Sequence, residues 1–326
     1  MKRISLILTI LFTILISTSC SSPDEEELTQ VTLMLDWVPN TNHTGIFVAE
    51  ANGYFENAGL DVRIIQPGEV YPEAAVIGGS ADFGISFQEQ VTLARAASVP
   101  IVSIAAVLQH NTSGFASLTE LNVTSPKDFE GLRYGAYGNP FETPTLKVLM
   151  ECAGGDFDKL EIVNTGYADP LALIAEKKTD LAWIFYAWQG FQAEQQGIDI
   201  DVVMMKDWFD CIPDYYTPVV IASEDTISNR PDVVRAFTGA LSRGYEFAVQ
   251  NPDKAADLLI AAVPELDPEL VKASQNWISQ YYRAEAPRWG EQKESIWRGY
   301  ADWMVKNDIL QNSISGKDAF TNEFLP

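Results

Sequence analysis

Segments typical of strands and helices alternate along most of this chain, and their order limits the folds that it can adopt. A β-rich run, a helical pattern and a second strand succeed one another within the stretch 31–65. This βαβα order predicts a mostly parallel sheet covered by helices. Strands are predicted at residues 31–35, 60–65, 82–85, 101–108, 132–137, 160–164, 181–186 and 200–205. Helices are predicted at residues 45–53, 73–77, 86–97, 144–153, 230–250, 252–262, 268–282 and 292–307.

A weak internal repeat indicates two α/β units in series. Residues 79–86 and 178–185 each combine a helix end, a small residue, an Asp and an apolar strand. Two such units predict two lobes. Ligands of open α/β sheets bind beyond the carboxyl ends of the strands, so the expected site is the cleft between the lobes.

The N-terminus carries the pattern of an export signal. A basic start precedes an apolar run at 4–16 that is too short to span a bilayer, which predicts a signal peptide over residues 1–19. The following Cys20 resembles the lipidated cysteine of bacterial lipoproteins, although Ser17 stands where those proteins usually have Leu. Residues 20–30 would then be an acidic tether. The expected location is the extracytoplasmic face of the cell membrane, through a lipid anchor; the alternative is a plain secretory signal.

The charge balance limits the possible partners. The chain has 22 Lys and Arg against 45 Asp and Glu, a net charge of −23. Nucleic-acid binding draws most of its affinity from basic residues, so no nucleic-acid partner is expected. The 3 Cys and 2 His leave few zinc ligands, and no metal is expected. Cys152 and Cys211 could pair in an exported protein or remain two separate thiols.

Aromatic, amide and carboxylate side chains gather where the predicted strands end. Aromatic faces stack on flat rings, and carboxylates accept hydrogen bonds from ring amines. An anionic ligand would call for Arg, Lys or a Gly-rich nest, which these ends lack. The pattern favours a flat, nitrogen-rich ligand that is neutral or weakly basic. The candidate contacts are Asp36, Trp37, Asn40, His43, Ser86, Glu89, Glu142, Trp183, Tyr186 and Trp188.

Several of these residues also have a purely structural interpretation. Trp183 lies on a predicted buried strand, where core packing is the alternative, and core packing is favoured for Phe185. The alternative for Asp36 is helix capping, and for His43 it is bracing of its loop. Glu142 lies near a helix N-terminus, where a carboxylate is favoured in any case. These alternatives stay open from sequence alone.

Common catalytic motifs do not occur in the sequence. There is no G-x-S-x-G elbow, P-loop or G-x-G-x-x-G fingerprint. His43 and His110 are the only histidines, and neither has the context of a Ser/His/Asp triad. No cofactor is expected.

Several long segments resemble the NMT1/THI5-like family of solute-binding proteins. One of them is LDWVPNTNHTGIFVAEANGYF at 35–55, and the resemblance extends from Val31 to Pro326. Sulfonate-binding and nitrate-binding proteins share the outline of that motif. The other matching segments therefore make the resemblance to this family more specific. Those segments are residues 81–96, 109–118, 180–190, 214–224 and 286–297.

The resemblance implies an α/β type II periplasmic-binding-protein fold, with two lobes that close on a ligand. The expected lobes are residues 31–115 with 219–326, and residues 116–218. The chain is expected to cross between them near residues 113–116 and 217–221.

The family also implies a function. The expected protein is a monomeric lipoprotein of an ABC importer that captures a thiamin-precursor pyrimidine and delivers it to the permease. The expected ligand is N-formyl-4-amino-5-aminomethyl-2-methylpyrimidine or a close aminopyrimidine; the alternative is another small solute, such as a sulfonate or a nitrogen compound. The family pattern places contacts at Trp37, Asn40, His43, Tyr186 and Trp188, with Glu89 and Glu194 as candidate amine acceptors.

Fungal members of the family are pyrimidine synthases, which offers a third alternative. They hold pyridoxal phosphate on a Lys and consume a nearby His. The matching segment here, residues 84–90, has neither, and Cys211 stands alone where those enzymes have a cysteine cluster. The sequence therefore favours a protein that is not an enzyme.

Overall fold

The computed structural model describes residues 27–68, 70–166 and 168–326. The predicted signal peptide, Cys20 and most of the predicted tether lie outside these residues. The tether prediction extends too far, because Thr29 and Gln30 already pair with Leu60 and Asp61 of a neighbouring strand. None of the helices formed by the described residues is both long and apolar enough to cross a membrane.

The described chain forms ten strands in two sheets. In chain order they are β1 (Thr29–Met34), β2 (Leu60–Ile65), β3 (Phe83–Ser86), β4 (Ile101–Ala106), β5 (Ser113–Leu118), β6 (Arg133–Ala136), β7 (Glu161–Asn164), β8 (Leu181–Phe185), β9 (Ile200–Met204) and β10 (Val219–Ser223). The first sheet has the order β2-β1-β3-β10-β4 and the second the order β7-β6-β8-β5-β9. The two orders are equivalent, which agrees with the weak internal repeat.

Each sheet contains one strand that runs against the others. β10 pairs antiparallel with β3 and β4, and β5 pairs antiparallel with β8 and β9. The other four strands of each sheet run in one direction, so each sheet is mostly parallel, as the sequence predicts, with one antiparallel strand. The reason is the path of the chain, which enters each sheet once more as it passes between the lobes.

Helices cover both sheets. They are α1 (Thr44–Ala51), α2 (Pro72–Ile77), α3 (Gln88–Ala96), α4 (Glu142–Cys152), α5 (Pro170–Ala175), α6 (Phe191–Gln196), α7 (Glu224–Asn229), α8 (Pro231–Gln250), α9 (Pro252–Ala262), α10 (Pro268–Arg283), α11 (Glu294–Lys306) and α12 (Gly316–Ala319). One turn of π-helix, Tyr186–Gly190, separates β8 from α6. Tyr300, Trp303 and Met304 of α11 belong to the core of the second sheet, so this helix joins the C-terminal part of the chain to the second lobe.

The chain passes between the sheets in two connections. The first covers residues 107–112, between β4 and β5, and the second covers residues 205–218, between β9 and β10. The first connection lies before the predicted crossing at 113–116, because Ser113 already begins β5 and pairs with Phe185. The predicted crossing at 217–221 overlaps the end of the second connection and the start of β10.

A disulfide fixes the second connection to the second lobe. It joins Cys152, at the end of α4, to Cys211, with 6.1 Å between their Cα atoms. The alternative of two separate thiols is thereby excluded. The bridge closes a loop of the chain that contains β7, β8 and β9.

Helices α1 and α8 approach unusually closely under the first sheet. A Cβ atom at Gly244 would lie 2.0 Å from the carbonyl oxygen of Gly45. A Cβ atom at Gly45 would lie 2.3 Å from the ring of Tyr245. Only glycine at both positions permits this approach. It packs α8 directly against α1, the helix that follows the Asp36–His43 loop.

Candidate functional site

A cavity lies where strands of both sheets end. The first lobe contributes the loop after β1 and the start of α3, and the second lobe contributes the loop after β6, the end of β8 and the π-turn. Ser113 and Thr217 come from positions next to the two connections. The lining residues are Asp36, Trp37, Asn40, Asn42, Phe87, Glu89, Ser113, Tyr137, Asn139, Phe141, Glu142, Trp183, Phe185, Trp188, Gln189 and Thr217. No Lys, Arg or His is among these described residues.

The structure brings seven of the eleven predicted contacts to this cavity. These are Asp36, Trp37, Asn40, Glu89, Glu142, Trp183 and Trp188. The other four, His43, Ser86, Tyr186 and Glu194, do not line it.

His43 lies behind the cavity wall and holds Asp36. Its ring is fully buried, and Nδ1 accepts a hydrogen bond from the backbone N–H of Asn40 at 3.3 Å. The imidazole proton therefore sits on Nε2, which donates to Asp36 Oδ1 at 2.6 Å. Asn40 caps the short helical turn Thr41–His43 by accepting from the backbone N–H of Asn42. His43 thus positions a cavity carboxylate instead of contacting the cavity.

Ser86 and Glu194 are directed elsewhere by their local structure. Ser86 is buried at the end of β3, and its hydroxyl donates to Glu73. Glu194 is exposed on α6, where the neighbouring Ala193 occupies the buried face of the helix. Neither side chain faces the cavity, so neither is positioned as the sequence predicted.

Tyr186 packs outside the cavity because of the π-turn. Its ring lies over Gly190, where a Cβ atom would come within 2.8 Å of the ring. It then contacts Trp277, with ring centroids 5.2 Å apart, and Phe191, with centroids 5.8 Å apart. Trp188, two residues further along the same turn, is the one that reaches the cavity.

Glu89 is the most perturbed carboxyl group in the cavity. It lies in the first turn of α3 and is 4% exposed. Burial raises its pKa to about 7, against the smaller lowering effects of a backbone hydrogen bond and of the Tyr215 hydroxyl. Its Oε2 atom has no hydrogen-bond partner among the described residues. A buried carboxyl oxygen without a partner is costly unless a ligand completes it.

Glu142 also lines the cavity, but its carboxylate is already satisfied by protein groups. Oε1 accepts from the backbone N–H of Asn139 at 2.7 Å. Oε2 accepts from the backbone N–H of Tyr137 at 3.0 Å and from the hydroxyl of Tyr134 at 2.9 Å. Glu142 therefore shapes the loop after β6, which agrees with the structural alternative that the sequence left open.

Aromatic side chains form much of the remaining wall. Trp183 donates its indole N–H to Ser113 Oγ at 2.9 Å, and Phe141 meets it edge-on at 87°. Phe87 of the first lobe stacks on Phe185 of the second, with ring centroids 5.9 Å apart. Phe185 lies on the same face of β8 as Trp183. The alternation of side chains along a strand therefore indicates that both residues face the cavity.

The lobes touch at the edge of the cavity. Besides the Phe87–Phe185 stack, Gln90 Nε2 on α3 donates to Asn139 Oδ1 in the second lobe at 3.0 Å. Sequence reasoning missed Asn139, Phe87 and Phe141 as individual residues although they lie in strand-end segments. The other lining residues that the sequence does not single out are Asn42, Ser113, Tyr137, Gln189 and Thr217.

A charged cluster joins the two connections near the cavity. His110 Nδ1 bonds Asp214 Oδ2 at 2.5 Å, and His110 Nε2 bonds Glu285 Oε2 at 2.9 Å. Asp214 Oδ1 also accepts from the backbone N–H groups of Asn111 and Tyr215. The hydrogen bond to Asp214, followed by that to Glu285, raises the pKa of His110 to about 9, so the imidazole is charged at neutral pH.

Two α/β lobes with this strand order, with a cavity beyond their strand ends, define the type II periplasmic-binding-protein fold. The alkanesulfonate-binding protein SsuA of Xanthomonas axonopodis pv. citri, solved with MOPS bound, has this fold. It superposes with a TM-score of 0.69 at 14% identity, covering 90% of this chain and 99% of its own. At that identity the likeness concerns the fold alone.

Within this class the chain belongs to the NMT1/THI5-like family, whose model matches residues 40–255. A formylaminopyrimidine-binding protein of Halalkalibacterium halodurans is 31% identical over 327 residues, covering 98% of each chain. A 4-amino-5-hydroxymethyl-2-methylpyrimidine phosphate synthase of Legionella pneumophila is 26% identical over 304 residues, covering 91% of this chain and 92% of its own. The family therefore includes both binding proteins and enzymes.

Proposed function

We propose that this protein binds a thiamin-precursor aminopyrimidine, with N-formyl-4-amino-5-aminomethyl-2-methylpyrimidine as the first candidate, and delivers it to an ABC permease. The observation that carries the proposal is Glu89, a buried carboxyl group with an unpartnered oxygen in an aromatic-walled cavity. Amino groups of the ligand would donate to this oxygen, and its ring would lie against the aromatic wall. The formylaminopyrimidine-binding relative supports the same ligand class.

The composition of the cavity argues against the two alternatives. A sulfonate carries a full negative charge, and neither Lys nor Arg is found among the described lining residues. A synthase of the fungal type would need its Lys and His, and these are also missing from the described lining. We therefore infer a binding protein and not an enzyme.

Calorimetric titration of the purified protein tests the ligand class. We expect one-to-one binding of formylaminopyrimidine with a dissociation constant below about 1 μM, equivalent to roughly −8 kcal/mol. An alkanesulfonate of similar size serves as the comparison ligand and should give no heat of binding. Tighter binding of the sulfonate would contradict the proposal. An absorbance band of pyridoxal phosphate on the purified protein would favour the synthase instead.

We further propose that the mature protein is monomeric and lipid-anchored through Cys20 on the extracytoplasmic face of the membrane. The Cys152–Cys211 disulfide supports an oxidising compartment. Cys20→Ala should move the protein from the membrane fraction to the soluble fraction, whereas Ser21→Ala should leave it on the membrane. Membrane retention of the Cys20→Ala variant would contradict the anchor.

A further inference from the structure

Glu89 lacks a compensating positive charge on every side that the structure describes. The titratable side chains that face it are Tyr215, from the second connection, and Tyr300, from α11. Burial raises the pKa of each tyrosine well above 10, so both remain neutral. The other acidic residues of the lining are Asp36 and Glu142.

An ionised Glu89 would therefore be a lone buried charge. Removing a carboxylate from water without a cationic partner is strongly unfavourable. The raised pKa of about 7 agrees with this environment. The same cost applies to the complex, because a neutral ligand supplies hydrogen bonds but no charge.

We propose that Glu89 selects ligands that present a ring nitrogen beside an amino group, and that one proton stays with the Glu89–ligand pair in the complex. This inference rests on the proposed function. One carboxyl oxygen accepts from the amino group, and the proton on the other is donated to, or transferred to, the ring nitrogen. The pair has no net charge in either case, so no lone charge is buried.

A retained proton makes binding depend on pH in a defined direction. Below pH 7 the empty site mostly carries the proton already, whereas above pH 7 the empty Glu89 is ionised and must regain the proton when the ligand binds. Binding should take up roughly half a proton at pH 7 and about one proton at pH 8.5. The affinity should fall roughly tenfold over the same interval.

Titration calorimetry in pairs of buffers with different ionisation enthalpies measures this proton uptake directly. The probe is formylaminopyrimidine at pH 7 and pH 8.5. In the Glu89→Gln variant the side-chain amide keeps one hydrogen-bond donor and one acceptor, so the variant should still bind formylaminopyrimidine. Its binding should exchange no proton and should not depend on pH. Glu194→Gln removes an exposed carboxylate outside the cavity and should behave like the unaltered protein.

The experiment distinguishes a failure of the Glu89 inference from a failure of the proposed function. Binding that releases a proton at pH 8.5, binding without any proton exchange, or undiminished uptake in Glu89→Gln would overturn the role of Glu89 and leave the proposed function standing. Absence of binding at both pH values would overturn the proposed function and this inference together.

Discussion

At the scale of single residues, the two polar groups with the greatest consequence for the cavity have different tasks. Glu89 has an unpartnered oxygen and lines the cavity, whereas His43 is buried behind Asp36 and fixes its orientation. The sequence pattern treated both as contacts, because both follow strand ends. Burial and hydrogen-bond partners separate them, and these depend on three-dimensional packing.

Trp37 is the residue that we expect to stack on the ligand ring. Trp37→Ala should weaken binding by roughly tenfold, because a stacked aromatic contributes about 0.5–1.5 kcal/mol beyond the area that it buries. Calorimetric titration measures the change. Tyr71→Ala is the control, since Tyr71 is an exposed aromatic residue outside the cavity lining. Equal affinity of the Trp37→Ala variant and the unaltered protein would exclude Trp37 as a stacking residue.

At the scale of elements, the contact between α1 and α8 sets the position of the loop that carries Asp36 and Asn40. Gly244→Ala should lower the free energy of unfolding by about 1–3 kcal/mol or more, because its Cβ would press on the Gly45 carbonyl oxygen. Gly239→Ala on the same helix meets no atom within 4 Å and should stabilise the protein by up to about 1 kcal/mol. Urea unfolding of both variants measures the difference. A Gly244→Ala variant as stable as Gly239→Ala would contradict the close packing.

The His110 cluster should make stability depend on pH. The pKa of His110 is raised from its ordinary value near 6.5 to about 9, so its contribution is fully present below about pH 6.5 and is lost as pH rises through 9. We expect urea midpoints of the unaltered protein to fall between pH 7 and pH 10 by more than those of His110→Gln. Lys177→Gln, at an exposed ion pair with Glu120, is the control and should keep the full fall. An identical fall in His110→Gln would show that the cluster does not contribute.

Regular elements were largely predictable from sequence, and their boundaries differ by few residues. Residues 60–65 and Pro252–Ala262 have the predicted bounds because strong apolar patterns are flanked by Gly or Pro. The sequence does not predict β5 as a strand, because SGFASL contains no β-branched residue. Its Gly114 fits beneath the Val203 carbonyl, where a Cβ atom would lie 2.7 Å away. Such close packing against a distant strand leaves no local signal.

Some site residues are predictable from sequence. Trp183 follows from the alternation of side chains along its strand, and Glu89 follows from its position just after a strand end. Tyr186 was misplaced because the π-turn changes which side chain of Tyr186–Gly190 reaches the cavity. A turn of that type is stabilised by its surroundings, here the packing of Tyr186 between Gly190 and Trp277. Sequence periodicity alone does not reveal it.

At the scale of the whole molecule, the equivalent sheets place two sets of strand ends on opposite sides of one cavity. Gln90–Asn139 and Phe87–Phe185 join the lobes at its edge, and the His110 cluster joins the two connections. This arrangement suits the binding of a small molecule between the two lobes.

The most direct test of this account is native mass spectrometry of the protein purified from its own cells, followed by removal of any bound solute and rebinding. We expect a co-purifying aminopyrimidine at one molecule per chain, and rebinding of the same compound after its removal. A co-purifying sulfonate or other anion, or failure of every aminopyrimidine to rebind, would contradict it.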